Sequence, residues 1–278
     1  MSDLLTVEDL RVRFHLDKGP VDAVRGVSFK MGREKLGIVG ESGSGKSQTG
    51  RAILRLVPSP GEVTAKKLNF DGLDLSTAST AQMRDIRGRR IGMVMQDPKF
   101  SLNPVMTVGA QIAEACRIHG GVSRADAKRR TLEMLAAVRI RDPDSVYQRY
   151  PHQVSGGMGQ RIMIAMMLAP NPDLLIADEP TSALDVTVQM QVLAIMDDLV
   201  SKRGMGLILI SHDLNLVASF CDRVLVMYGG RIVEECRARD LHQAKHPYTQ
   251  GLLAALPRLD GPPGDLAVLT RDPAWLTA

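Results

Sequence analysis

Short apolar runs predict β-strands in the first and last thirds of the chain. Leu4–Phe14 is rich in Val and Leu and alternates loosely with polar residues, and Val21–Phe29 resumes this pattern after a break at Gly19-Pro20. Leu36–Val39 and Ile91–Met95 are short and largely apolar, which is typical of buried strands. Further strands are predicted at 174–177, 206–210 and 223–227.

Apolar residues at helical spacing predict helices between these strands. One is expected at 47–56 and one at 123–138, where Ser123 is suited to cap the first turn. Ile162–Leu168 is predicted to be a buried helix, so residues from about 97 to 170 form a helical block. After this block, strands alternate with a helix, and this alternation predicts right-handed crossovers and a parallel sheet, that is, an α/β fold.

Composition excludes several classes of protein. Of the 278 residues, 44% are hydrophobic and 24% charged, as in ordinary globular proteins. The longest apolar run, Ile162–Ala169, is far shorter than the roughly 18 residues of a membrane-spanning helix, and Met1–Leu4 does not begin a secretory signal. Three widely spaced cysteines predict no disulfide framework. A net charge of +4 permits contact with nucleic acid but does not require it.

A glycine-rich segment follows the strand predicted at 36–39. Gly40–Ser47 matches the phosphate-binding pattern G-x-x-x-x-G-K-[ST], with a predicted strand before it and a predicted helix after it. Glycines let backbone N–H groups turn toward phosphate oxygens, and the helix adds the positive end of its dipole. Lys46 is expected to reach the β- and γ-phosphates and Ser47 to ligate Mg²⁺. The alternative, a glycine turn that only connects strand and helix, is disfavoured by this context.

Polar residues end three of the other predicted strands. Asp178 is expected near the bound Mg²⁺, and Glu179 is expected to face the γ-phosphate and polarise a water molecule. Alone, such an acidic pair is more often a helix cap or a solvated loop, but the phosphate-binding pattern upstream reverses this preference. His212 is expected to donate to a γ-phosphate oxygen, and Gln96 to contact Mg²⁺ and water. Neither of these two would be informative alone.

A second glycine-containing segment precedes the helix predicted at 162–168. Val154–Arg161 reads V-S-G-G-M-G-Q-R and combines a hydroxyl, glycines and a helix N-terminus, which together make an anion site. It resembles the signature motif of ATP-binding cassette (ABC) proteins, whose common form is L-S-G-G-Q. Gln96, the acidic pair and His212 stand in the order of the family's motifs, and the resemblance runs from about residue 4 to residue 257.

The resemblance implies a fold, two cofactors and a set of site residues. The fold is a P-loop NTPase (RecA-like) parallel-sheet core with an antiparallel β subdomain and an inserted α-helical subdomain at about 97–170, in a domain at 1–259 followed by a tail at 260–278. The cofactors are ATP and Mg²⁺.

The resemblance also implies the residues of the site. The implied ATP-binding residues are Gly40, Glu41, Ser42, Gly43, Ser44, Gly45, Lys46, Ser47, Gln48 and Phe14, which would stack on adenine, with His15 as second choice for that role. The implied catalytic residues are Glu179, His212 and Gln96; the Mg²⁺ ligands are Ser47, Gln96 and Asp178. The signature residues for a partner's ATP are Ser155, Gly156, Gly157 and Gln160, and the D-loop residues are Ser182 and Asp185.

Two further segments narrow the resemblance to one subfamily. Ser101–Pro104 and His246–Thr249 are similar to segments of the ATPases of dipeptide, oligopeptide and nickel importers. This implies an ATP-hydrolysing importer subunit for dipeptides or oligopeptides, with nickel as the alternative cargo. It also implies a paralogous ATPase subunit in a heterodimer, two integral membrane subunits and an external solute-binding protein. The chain is then expected at the cytoplasmic face of the inner membrane, as a peripheral subunit.

Other interpretations are weaker. A soluble ABC ATPase acting on nucleic acid would usually carry two cassettes or a Cys-x-x-Cys insertion, and neither is present, so no nucleic-acid partner is expected. Many relatives hold an iron–sulfur cluster in a C-terminal extension; because no cysteine follows Cys236, none is expected here. His242 and His246 are four residues apart and could face one side of a helix, but solvent-exposed histidines are commoner than a metal site.

Overall fold

The computed structural model describes residues 3–95, 101–182 and 184–256, together with Asp272 and Trp275. Gln96 and the tail predicted at 260–278, apart from those two residues, lie outside the described residues. Contacts divide the chain into a first unit at 1–77 and 209–278 and a second unit at 78–208. None of the helices in the described ranges is long and apolar enough to cross a bilayer.

Strands and helices alternate between residues 174 and 228, as in an α/β fold, whereas strands follow one another directly before residue 40 and again at 61–74. The strands are β1 (Leu5–Leu16), β2 (Gly19–Met31), β3 (Lys35–Val39), β4 (Gly61–Thr64), β5 (Lys67–Phe70), β6 (Leu73–Asp74), β7 (Ile91–Val94), β8 (Leu174–Asp178), β9 (Gly206–Ser211), β10 (Arg223–Tyr228) and β11 (Arg231–Arg237). The helices are α1 (Lys46–Ile53), α2 (Thr80–Ile86), α3 (Val108–Gly120), α4 (Arg124–Ala137), α5 (Pro143–Gln148), α6 (Gly156–Leu168), α7 (Val186–Arg203), α8 (Leu214–Phe220) and α9 (Pro247–Ala254), with short 3₁₀ turns at Pro151–Gln153 and Ala238–Gln243.

The first unit contains an antiparallel sheet and part of a second, mixed sheet. The antiparallel sheet has the order β2-β1-β5-β6, and β4 also pairs with β1. In the mixed sheet, β10 pairs with β3 in parallel and with β11 antiparallel. The break between the first two strands was expected at Gly19-Pro20, and this position is wrong. The turn lies at 17–18, Leu16 pairs with Gly19, and both Gly19 and Pro20 belong to β2. The proline is tolerated near the end of the strand, where the hairpin turns.

The second unit contains the helices of the predicted helical block. Helices α3 to α6 lie within residues 97–170, and β7 pairs with β8 in parallel. Ser123 caps α4 as expected, since its Oγ accepts the Asp126 N–H at 3.1 Å. The apolar residues whose spacing predicted this helix are all buried, as expected for the side of an amphipathic helix that faces the core: Ala127, Met134, Leu135 and Val138. The domain limits 1–259 and 260–278 remain a prediction.

Close packing against β3 depends on Gly37. A Cβ at this position would lie 2.1 Å from Cγ1 of Val217, on α8, and 3.2 Å from Sγ of Cys221. Burial raises the pKa of the Cys221 thiol to about 12, so the sulfur is an inert packing atom here. Glycine therefore allows α8 to lie against the strand that leads into the phosphate-binding segment.

We predict that Gly37→Ala lowers the free energy of unfolding by about 1–3 kcal/mol, because the added methyl overpacks this contact. Gly32→Ala is the matched control: no atom lies within 4 Å of its added Cβ, and its φ is not positive. Urea denaturation of the two variants and the parent chain measures the difference. Equal stability of the two variants would show that the contact relaxes without cost.

Candidate functional site

The phosphate-binding segment joins β3 to α1 in the first unit. Gly40, Gly43 and Gly45 have φ values of 150°, 83° and 98°, in the region that favours glycine. A Cβ at Gly40 would lie 2.1 Å from the Met227 carbonyl oxygen, and one at Gly45 would lie 2.4 Å from that of Ala23. Both neighbouring atoms belong to backbone and cannot turn away. The glycines of the motif are therefore required by sterics as well as by the turn.

Lys46 begins α1 and is only 5% exposed. Its ammonium donates to the carbonyl oxygens of Gly40 at 2.7 Å and Glu41 at 2.9 Å. A buried ammonium requires such partners, because an unpaired charge in a protein interior is costly. The charge of Lys46 is thus held inside the glycine loop, at the N-terminus of a helix.

Two neighbours of Lys46 bear on cofactor binding. Ser47 is half-buried in the first turn of α1 and provides a hydroxyl oxygen, a hard ligand of the kind that Mg²⁺ takes. The Oε1 atom of Gln48 is buried and has no hydrogen-bond partner among the described residues. Since buried acceptors are nearly always paired, this oxygen fits a donor brought by a ligand.

The two aromatic residues considered for adenine stacking differ in their surroundings. Phe14 is half-buried on β1, and its Cε1 lies 2.8 Å from the place of a Cβ on Gly61, so the ring packs against that glycine. His15 is exposed, and its Nε2 lies 3.0 Å from Glu62 Oε2. Phe14 is therefore held by a packing contact at Cε1, and the choice of Phe14 over His15 stays a prediction.

The acidic pair lies in the second unit, where β8 ends. Asp178 is the last residue of the strand and is 5% exposed. Glu179 has a φ of 47°, a left-handed conformation that costs a non-glycine residue roughly 1–2 kcal/mol. Ser182 stabilises the turn, because its N–H and its hydroxyl both donate to the Glu179 carbonyl oxygen, at 3.4 and 3.3 Å. The fold thus holds the backbone of Glu179 in an uncommon conformation immediately after a buried strand.

The signature segment forms the start of α6. Ser155 is the N-cap, with its Oγ accepting the Met158 N–H at 3.4 Å, and both Ser155 and Gly156 are exposed. Gly157 packs against α7: a Cβ there would lie 2.8 Å from Cγ1 of Val188. The exposed hydroxyl and glycine stand beside helical N–H groups, an arrangement suited to an anion.

Gln160 differs from the other signature residues. It is 2% exposed, and its Nε2 donates to the carbonyl oxygen of Pro180, the residue after Glu179. Arg161 follows it and donates to the carbonyl oxygens of Gly157 and Arg139; burial lowers the pKa of its guanidinium. Grouping Gln160 with residues that face a partner's ATP is not supported by its burial. Its side chain instead ties α6 to the turn that follows the acidic pair.

The residues after that turn begin α7. Asp185 is the N-cap, and its carboxylate accepts the Val188 N–H at 3.0 Å. Val186 and Met190 are one helical turn apart and are 76% and 60% exposed. The start of α7 thus presents apolar side chains to solvent beside the exposed start of α6.

His212 lies in the first unit, directly after β9. Its imidazole is exposed, and its neighbours fix the backbone: Ser211 Oγ accepts the Asp213 N–H at 3.0 Å, and Asp213 caps α8 through the Leu216 N–H at 3.0 Å. The structure thus places Lys46, Ser47 and His212 in one unit and the acidic pair, the signature and the D-loop in the other. Gln96 lies outside the described residues.

Comparisons with known proteins agree with these motifs. A sequence model described as "ABC transporter" matches residues 24–182. The chain is 52% identical to a probable peptide ABC transporter ATP-binding protein, y4tR, of Sinorhizobium fredii, over 91% of this chain and 77% of that one. It is 51% identical to the dipeptide transport ATP-binding protein DppD of Haemophilus influenzae, over 91% and 78%. It is 49% identical to the oligopeptide transport ATP-binding protein OppD of Bacillus subtilis, over 94% and 74%.

Solved structures of ABC transporter cassettes are similar in fold to this chain. The dimeric structure of MJ0796, a bacterial ABC transporter cassette, matches with a TM-score of 0.73 and 28% identity, over 84% of this chain and 99% of that one. A dimeric post-hydrolysis state of the same cassette, bound to ADP and Pi, matches with a TM-score of 0.73 and 27% identity, over the same shares of the two chains. The expected P-loop NTPase fold is confirmed by these likenesses.

We predict that Gln160→Leu lowers the free energy of unfolding by about 1–3 kcal/mol, because it keeps most of the volume but removes the donor to the buried Pro180 carbonyl. Gln191→Leu, at an exposed position of α7, is the matched control and is expected to change little. Urea denaturation compares the two. A Gln160→Leu protein as stable as the control would mean that the hydrogen bond contributes nothing measurable.

Proposed function

The chain belongs to the ABC transporter family, and from this premise we propose that it energises an importer of dipeptides or oligopeptides. Its activity is that of an ATP-hydrolysing transporter subunit. Peptide cargo is supported by relatives that carry peptide, dipeptide and oligopeptide transport names and are about half identical over more than nine-tenths of the chain. The observation that carries the ATP-hydrolysing role is the glycine loop around the buried Lys46, combined with the exposed signature start at Ser155.

ATP binding is assigned to the loop between β3 and α1. Its glycines let N–H groups approach the phosphates, and the ammonium of Lys46 donates to the β- and γ-phosphate oxygens. Gln48 supplies the buried acceptor described above, and Phe14 supplies a ring for adenine. Mg²⁺ is supported by the chemistry of the donors, since Ser47 and Asp178 offer oxygen ligands, with Gln96 as a further candidate. When bound, the ion neutralises negative charge on the phosphates.

Hydrolysis is assigned to Glu179 and His212. A carboxylate is a suitable general base for an attacking water, and the turn tied by Ser182 holds the backbone of Glu179 in one conformation. His212 is exposed at a strand end and donates a hydrogen bond to a γ-phosphate oxygen in this proposal. Preorganised groups of this kind lower the barrier because they need little reorganisation during the reaction.

The partner is proposed to be a second, paralogous ATPase subunit. Ser155 and Gly156 are exposed at a helix start and would bind the γ-phosphate of that subunit's ATP. The exposed Val186 and Met190 provide apolar surface for the same contact, with Ser182 and Asp185 of the D-loop beside them. The similar cassette MJ0796 was solved as a dimer, which supports pairing of two ATPase subunits. Two integral membrane subunits and an external solute-binding protein complete the importer, and the chain is peripheral at the cytoplasmic face of the inner membrane.

We predict that Glu179→Gln binds ATP normally but hydrolyses it at least about 10²-fold more slowly, because the amide cannot accept the proton of the attacking water. The assay uses the assembled transporter with the paralogue's site disabled. Glu133→Gln, an exposed residue of α4, is the control for loss of a carboxylate. Near-normal hydrolysis by Glu179→Gln would overturn the assignment, and import of nickel but not of dipeptides by the intact complex would overturn the cargo.

We predict that Ser155→Arg abolishes ATP-dependent closure of the heterodimer, because the long side chain fills the space needed by the partner's γ-phosphate. ATP binding by the variant's own loop should persist. Ser123→Arg is the matched control, since Ser123 is also an exposed helix N-cap but begins α4. Crosslinking to the paralogue with and without ATP measures closure. Undiminished closure with Ser155→Arg would contradict the head-to-tail arrangement.

A further inference from the structure

Helix α9 contacts the phosphate-binding loop through a residue that has no role in the site described above. This residue, Tyr248, lies 207 positions from its partner in the loop, Glu41. Tyr248 is fully buried, with 0% exposure, and lies in the first turn of that helix. Its hydroxyl oxygen accepts a hydrogen bond from the backbone N–H of Glu41 at 3.0 Å. A buried tyrosine hydroxyl needs a polar partner, and here the partner is the loop that is proposed to bind ATP.

The position of Tyr248 is fixed by the start of its helix. His246 is the N-cap, and its Nδ1 accepts the Tyr248 N–H at 3.2 Å. The carboxylate of Glu234, on β11, accepts the Lys245 N–H at 2.6 Å, and the His246 N–H lies 3.4 Å from it. The start of α9 is therefore anchored to a strand, and the ring of Tyr248 has little freedom to move away from the loop.

Aromatic contacts fix the ring itself. Tyr228, the last residue of β10, lies with its ring centroid 4.4 Å from that of Tyr248, and the ring of Trp275 lies 5.9 Å from the same ring. Such close aromatic pairs stabilise beyond simple burial. Met227, next to Tyr228, presents the carbonyl oxygen that excludes a side chain at Gly40. The end of β10 thus touches both the loop and the residue that bonds to it.

Glu41 is held through both of its backbone polar groups. Its N–H donates to Tyr248, and its carbonyl oxygen accepts from the Lys46 ammonium at 2.9 Å and from the Ser44 N–H at 3.2 Å. If the Lys46 ammonium turns to a phosphate, as the proposed function requires, the carbonyl loses that donor. The bond to Tyr248 does not involve Lys46 and is independent of this exchange.

We propose that Tyr248 is a positioning residue of the phosphate-binding loop, whose hydroxyl keeps the Glu41 segment in the conformation that receives the nucleotide. This inference rests on the proposed function. Its physical basis is preorganisation: a loop that is already ordered loses less conformational entropy when the ligand binds. Tyr248 acts through the loop backbone and not by contact with the nucleotide.

The test compares the 278-residue chain with its Tyr248→Phe variant, which lacks one oxygen atom and keeps the ring. MgATP binding is measured by calorimetry, and exchange of the Glu41 amide proton by hydrogen–deuterium exchange. We expect the Kd for MgATP to rise about three- to tenfold, the factor that one neutral hydrogen bond is worth, and the Glu41 amide to exchange faster. Tyr228→Phe, which removes the neighbouring hydroxyl, is the matched control and should change neither quantity. Lys46→Ala is the positive control for lost phosphate binding.

The outcomes separate this inference from the proposed function. Failure of the parent chain to bind MgATP would contradict the proposed function. An unchanged Kd for Tyr248→Phe, or equal effects of Tyr248→Phe and Tyr228→Phe, would overturn the positioning role. If Tyr248→Phe melts at a lower temperature with the Kd unchanged, its role is structural only. If the variant fails to fold, the parent chain still provides a test. Its Glu41 amide is then measured alone, and exchange as fast as in an unstructured peptide would overturn the inference.

Discussion

The first unit depends on one steric constraint: the backbones of β2 and β10 lie so close to the phosphate-binding loop that two loop positions have no room for a side chain. The carbonyl oxygens of Met227 and Ala23 occupy the places where side chains at Gly40 and Gly45 would begin. Only glycine permits this approach, and the approach encloses the buried ammonium of Lys46 among carbonyl oxygens. The loop is thus set by packing against β2 and β10, and its shape does not rely on its own sequence alone.

The second unit meets a different constraint at the end of β8. Glu179 adopts a left-handed conformation that a glutamate disfavours, and hydrogen bonds from Ser182 to its carbonyl oxygen offset part of the cost. Gln160 adds a bond to the next residue, Pro180, from the signature helix. A residue kept in a strained conformation by several neighbours is characteristic of functional sites. The same bond connects the helix that would read a partner's nucleotide to the turn that carries the proposed base.

Local pattern was sufficient for β1 to β3 and β7 to β10, for the Ser123 cap and for the turn of the glycine loop, because each of these follows from periodicity or from short-range sterics. Ser123 and the apolar face of α4 are examples. Local pattern did not predict β4, β5, β6 or β11. The roles of Gln160 and Tyr248 could not be found in this way. Gln160 stands among exposed signature residues, and only tertiary packing shows that its side chain is buried. Tyr248 meets Glu41 across 207 positions of sequence, and no spacing rule predicts such a contact. His246–Thr249 was recognisable by resemblance alone, without a physical reason for its residues.

The two features proposed to bind phosphate differ in exposure. In the glycine loop the lysine is enclosed: Lys46 is 5% exposed and donates to the carbonyl oxygens of Gly40 and Glu41, whereas the tip of the loop is exposed. The signature start is open: Ser155 and Gly156 are exposed, and the side chains of Val186 and Met190 at the start of α7 are 76% and 60% exposed. A loop that holds a buried ammonium at a helix N-terminus can bind a nucleotide within one chain, whereas an exposed helix start flanked by apolar side chains would gain its full binding energy only when another surface excludes water from it. In the proposed function, the chain therefore carries one phosphate site of its own and one half of another, and a second subunit would supply the missing half.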